Sequence, residues 1–194
     1  MSKIKAYFTS KDWKWWLSNI GLVVIGLILI VPSWRLKFST KMNELIMVHE
    51  PNVEIDRKEI PPINWPITDL NKNEDNVAQS EGKVIFINAW ATWCGPCLAE
   101  LPSMNELYID YEDQVDFYFI STDQVDVLNK FNKKMNYSIP MYSSFTSSRG
   151  LESSSIPTTF VIDKKGKLVY TKKGAADWNS SSVRSLLDQL INED

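Results

Sequence analysis

Both cysteines of the chain lie in residues 89–102, which read AWATWCGPCLAELP. The apolar run VIFI at residues 84–87 comes just before and is typical of a buried strand. Pro96 is acceptable in the first turn of a helix, where its missing N–H would be unpaired anyway. The segment therefore predicts a strand, a short turn and a helix that begins near Cys94.

The position of Cys94 at a helix N-terminus has a chemical consequence. Free N–H groups and the helix dipole favour negative charge there, so the thiol ionises more easily, and the thiolate is the nucleophile. Cys97 follows one turn later, close enough to form a disulfide with Cys94 and to release a group that Cys94 has attacked. The pattern indicates a redox-active cysteine pair.

Other uses of a cysteine pair fit this sequence less well. A structural zinc site needs four ligands, but the chain has two cysteines and a single histidine, His49. Attachment of a c-type haem would need histidine after Cys97, where the sequence has Leu98. Buried, inert cysteines would not need Gly-Pro between them. We therefore expect no metal and no cofactor beyond the Cys94–Cys97 pair.

Two motifs carry a resemblance to the thioredoxin superfamily. Residues 93–97 (WCGPC) match the thioredoxin active-site sequence, Pro102 resembles the helix-kinking proline of that family, and residues 155–163 (SIPTTFVID) resemble its cis-proline loop and following strand. The longer run WCGPCLAELP is similar to the membrane-anchored TlpA/ResA-type thiol–disulfide oxidoreductases, in which a glutamate, here Glu100, follows the second cysteine by three residues. The resemblance covers about residues 60–192.

The alternation of apolar strands and amphipathic helices agrees with this fold class. We predict an α/β, thioredoxin-like fold with a central mixed sheet and helices on both faces. The predicted strands are residues 63–70, 84–87, 115–121, 139–142, 160–163 and 167–170, and the predicted helices are 96–111, 124–136 and 180–191. Residues 71–82 are polar and predict a loop, although domains of the TlpA/ResA type begin with a hairpin.

The second predicted helix has a specific start and a specific face. Asp123 precedes it and is a favourable N-cap residue. Val127, Leu128 and Phe131 have the spacing of one buried face.

The charge is unevenly distributed along the chain. Residues 1–49 carry seven Lys/Arg and two Asp/Glu, whereas the remaining residues carry a net charge of −8. An acidic domain argues against nucleic acid as a partner.

The basic N-terminal region contains a predicted membrane anchor. Residues 20–31 have no polar side chain, and residues 13–34, with tryptophans near both ends, form a 22-residue span. As a helix this span is roughly 33 Å long, which suits a bilayer core of about 30 Å with an interfacial aromatic belt. A cleaved signal peptide is the alternative, but PSWRLK at residues 32–37 offers no small-x-small cleavage site.

The predicted organisation has four parts. Residues 1–12 form a short cytoplasmic N-terminus, 13–34 an uncleaved signal anchor, 35–62 a linker that contains His49, and 63–194 the thioredoxin-like domain. The flanking positive charges are nearly balanced. The resemblance implies a single-pass protein of the cytoplasmic membrane whose catalytic domain faces the periplasm or extracytoplasmic side.

The resemblance also implies roles for individual residues. The Cys94 thiolate attacks a partner disulfide and Cys97 resolves the mixed disulfide. Pro157, if its peptide bond is cis, leaves the neighbouring backbone open to pair with an extended substrate; the alternative is a trans turn proline. Trp93 shapes the surface that the partner meets; the alternative is a core aromatic residue.

Proton transfer is assigned to Glu100. The position that matches the buried aspartate of thioredoxin is Asn88, which cannot exchange a proton. The TlpA/ResA pattern suggests that Glu100 takes the proton of Cys97 instead. The alternative is a surface carboxylate that the helix dipole favours in the first turns.

Gly-Pro between the cysteines is the dipeptide of reducing thioredoxins, so we expect a protein-disulfide reductase that a membrane electron carrier recharges. Its partners would be protein dithiols and disulfides. The alternatives are a disulfide oxidase or isomerase, a thiol peroxidase of the same superfamily, and a non-catalytic anchored module that binds polypeptides.

Overall fold

The computed structural model describes residues 19–20 and 51–193. Its contacts divide the chain into Met1–Met42 and Asn43–Asp194, and every element below belongs to the second unit. Several predictions concern residues outside this described part: the N-terminus at 1–12, His49, and the anchor at 13–34. Of the predicted anchor, only residues 19 and 20 are described. Within the described residues, no helix is long and apolar enough to span a bilayer.

Within residues 51–193, seven strands form one mixed sheet in the order β2-β1-β5-β4-β3-β6-β7. The strands are β1 (Pro66–Thr68), β2 (Glu74–Asn76), β3 (Val84–Trp90), β4 (Val115–Ser121), β5 (Met141–Ser143), β6 (Thr158–Ile162) and β7 (Leu168–Lys173). The central strands β3, β4 and β5 are parallel, and the other pairs are antiparallel. The predicted mixed sheet is confirmed.

Three α-helices accompany this sheet in the described part of the chain: α1 (Gly95–Tyr111), α2 (Val125–Met135) and α3 (Ser181–Asn192). A 3-10 helix, Val77–Ser80, follows β2. The bounds of α1 and α3 lie within one residue of the predicted ones. The predicted loop at 71–82 instead contains β2 and the 3-10 helix, and β1 and β2 form the hairpin that the resemblance implied.

The residues of β3 alternate between two apolar clusters, one on each face of the sheet. Phe86 belongs to the first cluster, together with the buried residues of α1, α2 and α3. Ile85 and Ile87 belong to the second, which also contains Trp65 and Leu151 from outside the helices. Burial on both faces explains why the run VIFI is apolar throughout.

The prediction of helices on both faces needs correction for the described residues, because α1, α2 and α3 lie on one face and the other has only the 3-10 helix. The strand order places β4 beside β3 and β5 beside β4, so both crossovers step in the same direction across the sheet. Right-handed crossovers that step the same way place α1 and α2 on one side. The second face is covered by the 3-10 helix, the segment before β1 and the loop after β5.

The predicted face of α2 is correct for Leu128, which is fully buried, and wrong for Val127, which is 42% exposed. Replacing Leu128 by alanine should therefore lower the free energy of unfolding by about 2–5 kcal/mol, because a cavity forms in the first cluster. Val127→Ala is the matched control and should change it by no more than about 0.5 kcal/mol. Urea denaturation of the two variants measures both effects, and equal losses would contradict the observed face.

Residues 56–58, which the sequence places in the linker, pair with the edge strand β7. The N–H of Lys58 donates to the carbonyl of Leu168 at 2.8 Å, and the N–H of Leu168 donates back at 3.0 Å. Asp56 donates to the carbonyl of Val169 at 3.2 Å. These bonds cover part of a strand edge that would otherwise have unpaired backbone groups.

Candidate active site

The cysteine pair lies where β3 leads into α1. Cys94 is the N-cap of α1, with extended backbone (φ −84°, ψ 103°), and its Sγ accepts the N–H of Cys97 at 3.2 Å. The sulfur thus occupies the place of the side-chain oxygen that usually caps a helix. The N–H of Cys97 and the positive end of the helix dipole are the kind of surroundings that favour a thiolate over a thiol.

The structure joins Cys94 and Cys97 by a disulfide with an S–S distance of 2.14 Å. Cys94 is 6% exposed, whereas Cys97 is completely buried. Cys94 is therefore the more accessible of the two sulfurs. This difference agrees with the predicted roles of attacking and resolving cysteine.

Trp93 and Pro157 border the pair. The side chain of Trp93 is 71% exposed, so the alternative of a core aromatic residue is wrong. The Ile156–Pro157 peptide bond is cis, so the alternative of a trans turn proline is wrong too. Thr158, the next residue, pairs with Ala89 in β3, which places Pro157 at the end of the sheet where β3 leads toward Cys94.

Glu100 is only 2% exposed, so the alternative of a surface carboxylate is wrong. Its Oε1 accepts the side-chain amide N–H of Asn88 at 3.0 Å. Its Oε2 accepts the indole N–H of Trp178 at 2.7 Å and the backbone N–H of Ala176 at 3.3 Å. Burial raises the pKa of Glu100 to about 8, although all three hydrogen bonds favour its ionised form.

No sequence pattern indicated the role of Trp178. It lies in the irregular segment between β7 and α3, is fully buried, and meets the ring of Phe86 edge-on at 5.3 Å. No hydrophobic period marks this segment. The resemblance did draw attention to Asn88, but as a lost proton carrier and not as a hydrogen-bond donor to Glu100.

Asp123 does not cap α2 as predicted; Gln124 is the N-cap. The Oδ2 of Asp123 accepts the N–H of Thr92 at 2.7 Å and the hydroxyl of Ser121 at 3.0 Å. The ends of the parallel strands β3 and β4 are neighbours in the sheet, so a carboxylate after β4 reaches the loop after β3. Asp123 therefore holds the loop that carries Cys94.

Asp123→Ala should lower the free energy of unfolding by about 1–3 kcal/mol, since the part-buried N–H of Thr92 loses its acceptor. The control is Asp126→Ala at the start of α2, which removes an exposed ion pair to Lys72 and should cost no more than about 0.5 kcal/mol. Urea denaturation of the disulfide form distinguishes the two. Equal effects would mean that the Thr92 contact contributes nothing beyond a surface charge.

The chain resembles a known protein family and several known proteins. Residues 56–190 match the Redoxin family. The thiol-disulfide oxidoreductase ResA of Bacillus thuringiensis (strain Al Hakam) is 35% identical over 118 residues, which cover 58% of this chain and 66% of that relative. The chain thus spans slightly less than two thirds of the length of this relative.

Two solved structures show the same fold. A Bacteroides vulgatus protein with a provisional assignment as a thiol-disulfide oxidoreductase is 29% identical, with a TM-score of 0.57 over 67% of this chain and 94% of that one. A DsbF homologue from Corynebacterium diphtheriae is 20% identical, with a TM-score of 0.58 over 74% of this chain and 98% of that one; this likeness concerns the fold alone. The chain belongs to the Redoxin family and is a TlpA/ResA-like member of the thioredoxin superfamily.

Proposed function

We propose that this chain is a protein thiol–disulfide oxidoreductase that reduces protein disulfides through Cys94 and Cys97. The observation that carries the proposal is the disulfide at the N-terminus of α1, with one sulfur near the surface and the other fully buried. A pair used only for stability would not need a helix N-terminus that favours the thiolate of the accessible sulfur.

In the reducing direction the two cysteines act in sequence. The Cys94 thiolate attacks one sulfur of a partner disulfide, a Cys94–partner bond forms, and the other partner sulfur leaves as a thiolate that takes a proton from water. The deprotonated Cys97 then attacks Cys94 Sγ and expels the first partner sulfur. Two electrons have passed to the partner, and the Cys94–Cys97 disulfide has formed.

Glu100 handles the proton of the buried cysteine. It follows Cys97 by three residues in α1, so the two side chains lie on the same side of the helix. With a pKa of about 8 in the disulfide form, the carboxyl group holds its proton at neutral pH. It donates this proton to Cys97 when a reductant opens the disulfide, and it takes the proton back when Cys97 attacks.

The surface around Cys94 suits an extended polypeptide. Trp93 offers a largely exposed ring beside the reactive sulfur, and Pro157 lies at the same end of the sheet. An extended partner can pair with backbone at such an end while its cysteine meets Cys94. Trp93 and Pro157 would therefore bind the partner, and the cysteines would exchange electrons with it.

The location of this chemistry completes the proposal. Residues 13–34 anchor the protein in the cytoplasmic membrane, the domain faces the extracytoplasmic side, and a membrane electron carrier recharges the pair. The apolar span and the TlpA/ResA resemblance support this arrangement.

Full-length protein should stay with the membrane fraction after an alkaline carbonate wash, and a membrane-impermeant maleimide should label reduced Cys94 in intact cells. Release by carbonate would contradict the anchor, and protection from the maleimide would contradict the orientation.

Insulin reduction tests the activity itself. Catalytic amounts of the protein should accelerate the precipitation of insulin B chains in the presence of a dithiol, whereas a module that only binds polypeptides would leave the rate at background. Equilibration with glutathione buffers should give a reduction potential between roughly −270 and −200 mV, the range of reducing members of the superfamily. A value near about −120 mV would indicate an oxidase.

A further inference from the structure

Asn88 occupies an unusual position beside Glu100. It is fully buried in β3, and its Nδ2 donates to Glu100 Oε1 at 3.0 Å and to Thr159 Oγ1 at 2.9 Å. Its Oδ1 is also buried but has no hydrogen-bond donor among the described residues. A buried amide oxygen without a donor is costly, and such a group calls for an explanation.

The three partners of Glu100 differ in what they can do. The backbone N–H of Ala176 and the indole N–H of Trp178 both bind Oε2, and both can only donate. The amide of Asn88, which binds Oε1, has a donor on one side and an acceptor on the other. Asn88 is therefore the one of these three partners that can receive a hydrogen bond.

A proton on Glu100 turns one carboxyl oxygen from a hydrogen-bond acceptor into a donor. Oε2 already receives two N–H donors, so the proton belongs on Oε1. There it would face the Nδ2–H of Asn88, and two donors would oppose each other. Rotation of the terminal amide by half a turn removes this conflict, since Oδ1 then faces the O–H of Glu100.

We propose that the side-chain amide of Asn88 is a two-position switch that reverses when Glu100 gains or loses its proton. When Glu100 is ionised, Nδ2 donates to both Glu100 and Thr159. When Glu100 is protonated, Oδ1 accepts from the Glu100 O–H and from the Thr159 hydroxyl. Asn88 is then a positioning residue that gives the buried carboxyl a matched partner in both charge states, and this role rests on the proposed proton transfer by Glu100.

Neither position of the amide is favoured by burial alone. One position leaves Oδ1 without a partner and the other leaves Nδ2 without one, so each has a similar cost and the proton decides between them. The hydroxyl of Thr159 must reverse from acceptor to donor at the same time. Thr159 lies in β6, two residues after Pro157. The charge of Glu100 therefore sets the hydrogen bonding of a strand that borders the partner-binding surface.

No group that contacts Glu100 in the described residues changes its charge while Glu100 titrates. Trp178 and Ala176 bind Glu100 from the segment after β7, Asn88 binds it from β3, and Thr159 of β6 binds Asn88; none of these groups changes charge. Cys97, from α1, does not titrate while it is in the disulfide. The ring centroids of Tyr170 in β7 and Trp178 are 6.5 Å apart. Burial raises the pKa of Tyr170 above its ordinary value, so this phenol stays neutral as well.

The test is an NMR titration of the full-length disulfide form, with ¹⁵N and ¹³C labels in the side chains of Asn and Glu. The nuclear Overhauser effect between the Asn88 NH₂ protons and Thr159 should be present when Glu100 is ionised and lost when it is protonated, with the midpoint of the Glu100 carboxyl carbon. An effect that persists at both limits would overturn the proposal. Constant Asn88 resonances across the titration of Glu100 would overturn the proposal. The measurement needs no turnover, so it can fail while insulin reduction succeeds, and the reverse also holds.

Glu100→Gln makes the test sharper. Its amide oxygen must face the fixed donors Ala176 and Trp178, so its NH₂ group faces Asn88 and holds that amide in the acid-form position. Asn88 in this variant should show the low-pH resonances of the wild type at every pH. Resonances at the high-pH limit would overturn the proposal. Glu106→Gln is the matched control, because it removes an exposed carboxyl group of the same helix. It should leave the pH dependence of the Asn88 resonances unchanged.

Discussion

Replacing Cys94 by serine should slow insulin reduction by at least about a thousandfold, to the uncatalysed background. The variant loses the only sulfur of the pair that a partner can reach, because Cys97 is completely buried. A serine hydroxyl is not ionised at neutral pH and forms no disulfide. The measurement is the initial rate of insulin precipitation with a dithiol, compared with the dithiol alone.

Cys97→Ser provides the informative counterpart. It keeps the Cys94 thiolate and the first attack, but it lacks the sulfur that resolves the intermediate. It should therefore accumulate Cys94–partner disulfides that are visible on non-reducing gels and absent after reduction. The double variant Cys94→Ser/Cys97→Ser should form no such adducts. If Cys94→Ser trapped partners and Cys97→Ser did not, the assigned order of attack would be reversed.

Glu100→Gln should remove a large part of the pH dependence of stability. The pKa of Glu100 rises from its ordinary value of 4.5 to about 8 because of burial. Between these pH values the unfolded chain has lost the proton and the folded domain still holds it, so the free energy of unfolding falls as pH rises through this window. The loss for the wild type relative to the variant should be on the order of 4 kcal/mol, since each pKa unit corresponds to about 1.36 kcal/mol.

Urea denaturation of the disulfide forms at pH 5 and pH 8 measures this difference. Carboxylates whose pKa is lowered, such as Asp69 and Glu193, are present in both proteins and cancel in the comparison. Glu106→Gln, at an exposed position of α1, should retain the slope of the wild type. A variant Glu100→Gln with that same slope would show that the buried carboxyl group does not hold its proton at neutral pH.

Features that depend on neighbouring residues in the chain were predictable. The run VIFI, the cysteine spacing and Pro96 identified β3 and the start of α1, because each of them acts within one or two turns. The helical spacing of the apolar residues in 180–191 is likewise a local signal, and Val183, Leu186, Leu187 and Leu190 of α3 are all buried. The resemblance extended this to the cis peptide before Pro157, which no local pattern specifies.

Features that depend on strand order were not predictable. Asp123 has the composition of a helix cap, but the adjacency of β3 and β4 gives its carboxylate a better-placed donor in Thr92. Val127 has the spacing of a core residue, yet α2 packs with Leu128 inward. Trp178 reaches Glu100 across 78 positions of sequence, and nothing in its own segment signals that contact.

Within residues 51–193, α1, α2 and α3 all pack on one face of the sheet, so the two sides differ in local stability. The loop after β5 contributes Leu151 to the cluster that contains Ile85 and Ile87, and its own hydrogen bonds are short-range, such as Ser153 Oγ to the carbonyl of Ser155. Opening it breaks few backbone hydrogen bonds, whereas opening α1 disrupts a helix of 17 residues. Partial unfolding should therefore begin on the loop-covered side, and amide protons there should exchange with solvent well before those of α1 and the central strands.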